Sequence, residues 1–156
     1  MFCTRFGPRY DSGLTISFGF PQPESVVDVT RNDIMAAGFS RQKAKAIKEC
    51  AATLVNTRAD LENLEKMPDS EAADYLSGFR GIGRWSSEYV LLRGLGRLNV
   101  FPGDDIGAKN NLTAMFHLAQ KPDYNRIKEL TSAWSPYQGM VYFHLLLDKL
   151  YLRGDL

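Results

Sequence analysis

Apolar residues recur at helical spacing along most of this chain, with polar residues between them. Ala44, Ile47, Ala51, Leu54 and Val55 fall on one side of a helix while Arg41, Lys43, Lys45 and Lys48 fall elsewhere, so an amphipathic helix is predicted over about 41–56. Ser40 precedes it as an N-cap. Just upstream, Thr30 with Asp33 three residues on, and Gly38 after Ile34, Met35 and Ala37, mark both ends of a short helix. Pro23-Glu24-Ser25 opens another short helix, and Asp60 begins one that runs through Leu64. Pro68-Asp69-Ser70-Glu71 starts a helix whose apolar set is Ala72, Ala73, Tyr75 and Leu76. The next runs from Arg84 to Leu95, with Trp85, Tyr89, Leu92 and Leu95 on one side, and Gly94 and Gly96 end it. Leu112, Met115, Phe116 and Ala119 give a helix after Asp104-Asp105, Asp123 starts one that projects Ile127, Leu130 and Trp134, and Ser135-Pro136 resets the chain for a last apolar helix from Tyr137 to about Arg153.

The N-terminal stretch differs. Phe2 and Phe6 stand one turn apart before Gly7-Pro8, the pattern of a last helical turn or two. Residues 8–23 are rich in proline and glycine and read as a loop, with Leu14–Phe18 a weak strand candidate. No βαβ unit, dinucleotide-binding fingerprint, P-loop or internal repeat is present in the sequence. The expected fold class is all-α.

Length and composition narrow this to one globular domain. The chain has 156 residues, 44% of them apolar and 24% charged, and its N-terminus lacks the basic-then-apolar layout of a signal peptide. These features predict a soluble, intracellular (cytoplasmic) protein with no membrane association. Cys3 and Cys50 are too few and too far apart for a metal cluster and read as free thiols, so no metal held by side chains is expected. His117 and His144 sit on helical patterns without ligand spacing and read as structural or surface residues. Net charge is only +1, so any surface for a polyanion must be local. The candidates are the basic residues of 41–48, which otherwise form a solvated helix face, and Arg80, Arg84, Arg93 and Arg97.

The densest chemical signal lies in residues 78–105. Gly81 and Gly83 flank Ile82 between two helical patterns, which makes a tight hairpin whose backbone N–H groups can face a phosphate. Arg80 and Arg84 add charge to it. Downstream, Phe101-Pro102-Gly103 leads to Asp104-Asp105 ahead of a further helix. Either aspartate can serve as an N-cap.

These residues, Phe79 to Trp85, Tyr89, Leu92-Arg93-Gly94 and Phe101-Pro102 with Asp104-Asp105, resemble the helix-hairpin-helix DNA glycosylase superfamily and, within it, the alkylation-repair branch called 3-methyladenine DNA glycosylase II. Weaker similarity extends over Phe20-Pro21, Gly38 to Lys45 and Trp134 to Tyr137. The resemblance implies a base-excision repair enzyme that hydrolyses the N-glycosidic bond of alkylated purines in double-stranded DNA carrying a damaged base. It assigns the catalytic carboxylate to Asp105, beside the sugar whose C1′ becomes positive as the bond breaks, and leaves Asp104 as the cap. It places Trp85, Tyr89 and Tyr137 at the base pocket, although Trp85 also fits the apolar side of its helix, and it assigns phosphate binding to Arg80, Gly81, Ile82, Gly83 and Arg84. Related lyases carry a lysine at the position of Trp85, so the implied reaction is monofunctional. No cofactor is implied beyond a monovalent cation on the hairpin carbonyls.

Relatives of this kind have further residues ahead of the matching region. The resemblance therefore implies that residues 1–156 correspond to the C-terminal part of a glycosylase domain with its hairpin at 79–84, the first core helices and base-wedging residue being expected ahead of the matching region. The apolar surface thereby uncovered would be met by self-association or by a preceding segment. A DNA-binding fragment without turnover is the competing reading, and the same chemistry on hypoxanthine or uracil is a third.

Overall fold

Polar residues at the heads of the apolar runs start the helices as cap chemistry requires. The computed structural model describes residues 1–154. Thr30 and Asp33 form a reciprocal capping box at the start of α3, Arg31–Ala36, and the Lys43 N–H donates to Ser40 Oγ at the start of α4, Arg41–Thr57. Each such cap stabilises its helix by about 1 kcal/mol. Contact density divides the chain into two units, one of residues 1–62 with 79–81, the other of 63–78 with 82 onward.

In the first unit, α1 (Phe2–Phe6) and α2 (Pro23–Val27) precede α3 and α4. Val26, Ile34, Ala44 and Ala51 are buried together, with Phe2, Met35, Phe39 and Ile47 packed against them. Phe2 meets Phe6, Phe20 and Phe39 edge-on or tilted, with ring centroids 5.2 to 5.8 Å apart. Residues 8–23 are more ordered than the loop expected from sequence. β1, Arg9–Asp11, pairs antiparallel with β2, Ile16–Phe18, and the turn between them is tied by the Gly13 N–H donating to Asp11 Oδ1 at 2.9 Å. The β2 strand falls within the candidate Leu14–Phe18. Its partner has a single apolar residue, Tyr10, and so carries no alternation to read. Leu14, Ile16 and Phe20 are exposed.

Where the chain passes from the first unit to the second, a 3-10 turn at Glu62–Lys66 replaces the short helix expected from Asp60, whose Oδ1 accepts the Glu62 N–H at 3.1 Å. Then follow α5 (Asp69–Ser77), α6 (Arg84–Gly94), α7 (Ile106–Met115), α8 (Tyr124–Thr131) and α9 (Gln138–Arg153). Leu92 on α6, Phe101, Ala108 and Leu112 on α7, Ile127 on α8, and Tyr142 and Leu145 on α9 form one buried cluster. Leu64, Ala72, Leu76, Leu91 and Val100 form another. Arg97 fastens the 3-10 turn, donating to the Leu64 carbonyl and to Asp69 Oδ1. The fold is mostly helical, and among the described residues no helix is long and apolar enough to cross a membrane.

One cap departs from expectation. Asp105, not Asp104, is the N-cap of α7: its backbone is extended and its Oδ1 accepts the Ala108 N–H at 2.7 Å. Asp104 instead turns to Lys109 Nζ at 2.9 Å and Arg84 Nη1 at 3.6 Å. The Asp105 N–H donates to the Pro102 carbonyl at 3.1 Å, so the chain turns one residue later than the sequence suggested.

Candidate functional site

The turn from α5 into α6 is built by backbone. Gly81 has φ +90°, and a Cβ there would stand 2.5 Å from that of Ala46, so both its conformation and its space exclude a side chain. Ile82 packs against the Leu64 and Leu76 cluster. Gly83 is the N-cap of α6, extended at φ −96°, with no side chain to close the helix end and nothing within 4 Å of where a Cβ would be. The first turn of α6 carries no acidic residue. Its N–H groups and the positive end of its dipole therefore suit an anion. Arg80 beside this turn is exposed and ion-paired with Glu49 Oε2 at 2.9 Å.

Along its length, α6 presents two chemically different stripes. On one, Trp85 is 41% exposed and stacks on Tyr89 with centroids 5.4 Å apart and planes 23° from parallel. Arg93 donates to the Tyr89 hydroxyl at 3.1 Å. Tyr89 meets Tyr142 of α9 edge-on at 6.3 Å. The Tyr142 phenol, on a residue only 1% exposed, interacts by hydrogen bonding with the Trp85 indole and the Asp105 carboxylate. Burial chiefly pushes its pKa up to about 12; the Trp85 N–H opposes that, and the charge and hydrogen bond of Asp105 add to it. Asp105 is thus a half-buried carboxylate held through Oδ1 at the head of a helix, beside an aromatic stack with an open face. Such a group can stabilise positive charge arising next to it.

The other stripe carries Arg84, Glu88 and Leu91. Glu88 is 6% exposed, and its carboxylate accepts the Tyr124 hydroxyl at 2.5 Å and the Gly103 N–H at 3.2 Å. Burial raises its pKa, Asp104 adds to the rise, and the two hydrogen bonds and Arg84 oppose it. Tyr124 titrates higher than a free phenol, through burial first and then its bond to Glu88. The Arg84 guanidinium lies 4.3 Å over the Tyr124 ring. A cavity of about 580 Å³ opens on this stripe, lined by Arg84, Glu88, Gly103, Tyr124, Lys128 and Thr131 among others, and not by Asp105, Trp85 or Tyr89. This cavity and the aromatic carboxylate site are therefore separate features of α6.

Of the residues singled out in the sequence, the structure gathers Trp85, Tyr89 and Asp105. Tyr137 is exposed, immediately ahead of α9. The α9 residue that joins the cluster is Tyr142, about 140° further round a helix than Tyr137. Tyr142, Glu88 and Tyr124 were not picked out from sequence. The signal was there for two of them: a buried tyrosine needs a partner for its hydroxyl, and an acid inside the apolar run Trp85–Leu95 needs donors.

Residues 1–136 match the family of HhH-GPD superfamily base excision DNA repair proteins. An alkylbase DNA glycosidase-like protein of Schizosaccharomyces pombe is 30% identical over 138 residues, which cover 87% of this chain and 65% of that protein. A 3-methyladenine DNA-glycosylase from Archaeoglobus fulgidus has a similar structure, with a TM-score of 0.79 at 29% identity over 96% of this chain and 50% of the other. A Schizosaccharomyces pombe 3-methyladenine DNA glycosylase, solved in complex with abasic DNA, gives a TM-score of 0.71 at 27% identity over 81% of this chain and 62% of that one. The chain thus spans between half and two thirds of the length of these relatives.

Proposed function

The chain belongs to the HhH-GPD superfamily of base excision DNA repair proteins, and on that premise we propose that it is a monofunctional glycosylase that hydrolyses the bond between an alkylated purine and its sugar in duplex DNA. The observation that carries this reading is the Asp105 carboxylate, fixed at the head of α7 and connected through Tyr142 to the stacked Trp85 and Tyr89. In this reading an extruded, electron-poor base lies against the exposed indole, and Asp105 faces C1′ of the sugar as the C1′–N bond breaks. The base leaves with the electron pair of the broken C1′–N bond, and water adds to C1′ and gives up a proton to solvent, leaving an abasic sugar. No lysine follows the hairpin glycines, because Trp85 stands there, so no imine to the sugar is formed from that position.

The hairpin supplies the grip on DNA. The unclosed N-terminus of α6 at Gly83 and the tight turn at Gly81 support phosphate binding through backbone N–H groups around Ile82, with Arg80 and Arg84 contributing charge. Arg80 would then exchange Glu49 for phosphate. A monovalent cation, where one is bound, would rest on the hairpin carbonyls. Tyr137, exposed ahead of α9, remains available to the outer wall of the pocket. Release of 7-methylguanine or 3-methyladenine from methylated duplex DNA by the parent, and its loss in Asp105→Asn, tests the proposal. Tight binding to an abasic-site duplex without base release by the parent would select the non-catalytic reading instead.

A further inference from the structure

Glu88 is a buried carboxylate that base release, as proposed above, does not use. We propose that Glu88 is a positioning residue for Asp105: by accepting the Gly103 N–H it anchors the Phe101–Asp104 loop to α6, and so sets where the Asp105 carboxylate stands. The inference rests on the glycosylase reading for its catalytic consequence, and on geometry alone for the anchoring.

The connection is short and complete. Glu88 Oε2 accepts the Gly103 N–H at 3.2 Å, and Oε1 accepts the Tyr124 hydroxyl at 2.5 Å. Gly103 lies inside a turn closed by the Asp105 N–H on the Pro102 carbonyl at 3.1 Å, so a displacement of Gly103 is carried directly to Asp105. The loop is also seated sterically. A Cβ on Gly103 would come within 2.9 Å of the Tyr124 ring, the same ring whose hydroxyl Glu88 holds. Glu88 therefore ties together α6, the loop and α8, three elements distant in sequence.

Its cost argues in the same direction. A carboxylate buried to this degree loses hydration that an apolar side chain of equal size would not need, and its burial raises its pKa. What an apolar residue cannot supply is an acceptor. The Gly103 N–H, on a buried residue, would otherwise lose this bond. Glu88 lies on the Arg84 stripe of α6 and Trp85 and Tyr89 lie on the other, so its reach to the site runs through the loop.

Two variants separate anchoring from general packing. Glu88→Met fills similar volume without an acceptor. Glu88→Gln keeps one, because its carbonyl can take the Gly103 N–H while the Tyr124 hydroxyl rotates to accept from its amide. Amide hydrogen exchange on the DNA-free protein should be about tenfold faster at Gly103 and at the capped Ala108 in Glu88→Met, with distant α4 amides unchanged, and near parental in Glu88→Gln. Single-turnover release of 7-methylguanine should fall about tenfold or more in Glu88→Met at unchanged duplex affinity, and Glu88→Gln should restore it. The parent gives a third reading without any substitution. The Gly103 and Ala108 amide shifts should both move in one step as Glu88 titrates above the ordinary glutamate range, where Asp104, Arg84 and Tyr124 are its charged and titratable neighbours. Parental protection at both amides in Glu88→Met, equal damage by Met and Gln, or an Ala108 shift blind to the Glu88 step would each overturn the inference. A parent that releases no base defeats the glycosylase reading, while the exchange and titration arms still decide the anchoring.

Discussion

Replacing Asp105 by Asn removes one negative charge and almost nothing else. The cap survives, because Asn Oδ1 can accept the Ala108 N–H that Asp105 now accepts at 2.7 Å, and Asn and Asp cap about equally well. The expected stability change is a few tenths of a kcal/mol, roughly 1 °C in Tm for a domain of this size. The chemical consequence is far larger. Losing a preorganised charge aimed at a developing positive centre costs about 3 to 4 kcal/mol of transition-state stabilisation, which is a fall of about 10² to 10³ in single-turnover rate. Two controls bracket the result. Asp105→Ala should lose the cap as well, about 1 kcal/mol of stability. Asp104→Asn removes an ion pair to Lys109 and Arg84 that is one-third exposed on the Asp104 side, so it should change stability by less than about 1 kcal/mol and rate by well under tenfold. The charge can also be followed without DNA. The Tyr142 phenol is held up to about 12 in part by Asp105, so its absorbance titration should move to lower pH in Asp105→Asn. Parental release of 3-methyladenine by Asp105→Asn, together with loss of release in Asp104→Asn, would refute the assignment; an unmoved Tyr142 titration would refute the geometry behind it.

Other consequences follow from the hairpin, from Trp85 and from Glu88. Gly83→Glu meets open space, so it should fold normally yet bind every duplex about tenfold more weakly or worse at low salt, and equal affinity for an abasic-site duplex would count against phosphate binding there. Gly81→Ala should instead destabilise the protein by about 1 to 3 kcal/mol in thermal unfolding, since it combines a left-handed backbone with a Cβ 2.5 Å from that of Ala46. Borohydride added during reaction with methylated DNA should trap no cross-linked species, and a lysine-dependent adduct would overturn the monofunctional reading. Glu88 has a folded pKa raised above its unfolded value, so its contribution to stability is fully present below the unfolded pKa and is lost as pH rises through the folded one. The Tm of the parent should therefore fall relative to Glu88→Gln as pH rises from about 4 to 7. A relative rise would show the sign to be wrong.

Most helices were legible because their start signals are local. Ser40 and the periodic run behind it gave α4 to within a residue or two, and Thr30 with Asp33, and Asp123, marked the other starts as the structure has them. The hairpin was legible for the same reason, since the demand for Gly81 arises from a turn within a few residues, although its close approach to Ala46 was not visible. What escaped depends on partners far apart in the chain. Glu88 meets Gly103 15 residues on and Tyr124 36 residues on, and no periodicity encodes either distance. The choice of Asp105 over Asp104 as cap turned on a single residue of register in a proline-containing loop, which cap preference alone cannot fix. The β1 strand escaped because its pairing with β2 needs only backbone groups and leaves every one of its side chains exposed.

The two stripes of α6 explain why the proposed chemistry and the cavity beside Glu88 do not coincide. Positions 84, 88 and 91 follow one side of the helix and 85, 89 and 92 the next, about 100° round. A single rigid element thereby carries an open, anion-seeking N-terminus, an aromatic face whose members reach Asp105 through Tyr142, and the carboxylate that holds the loop ending in Asp105. Because these features share one backbone, helix geometry fixes the separation between the N-terminus of α6 at Gly83 and the exposed face of Trp85, the two places where the proposed function puts a phosphate and a base. The Asp105 loop must be fastened to that frame, and Glu88 supplies the buried contact from α6 that does so, beside the more exposed ion pair of Arg84 with Asp104.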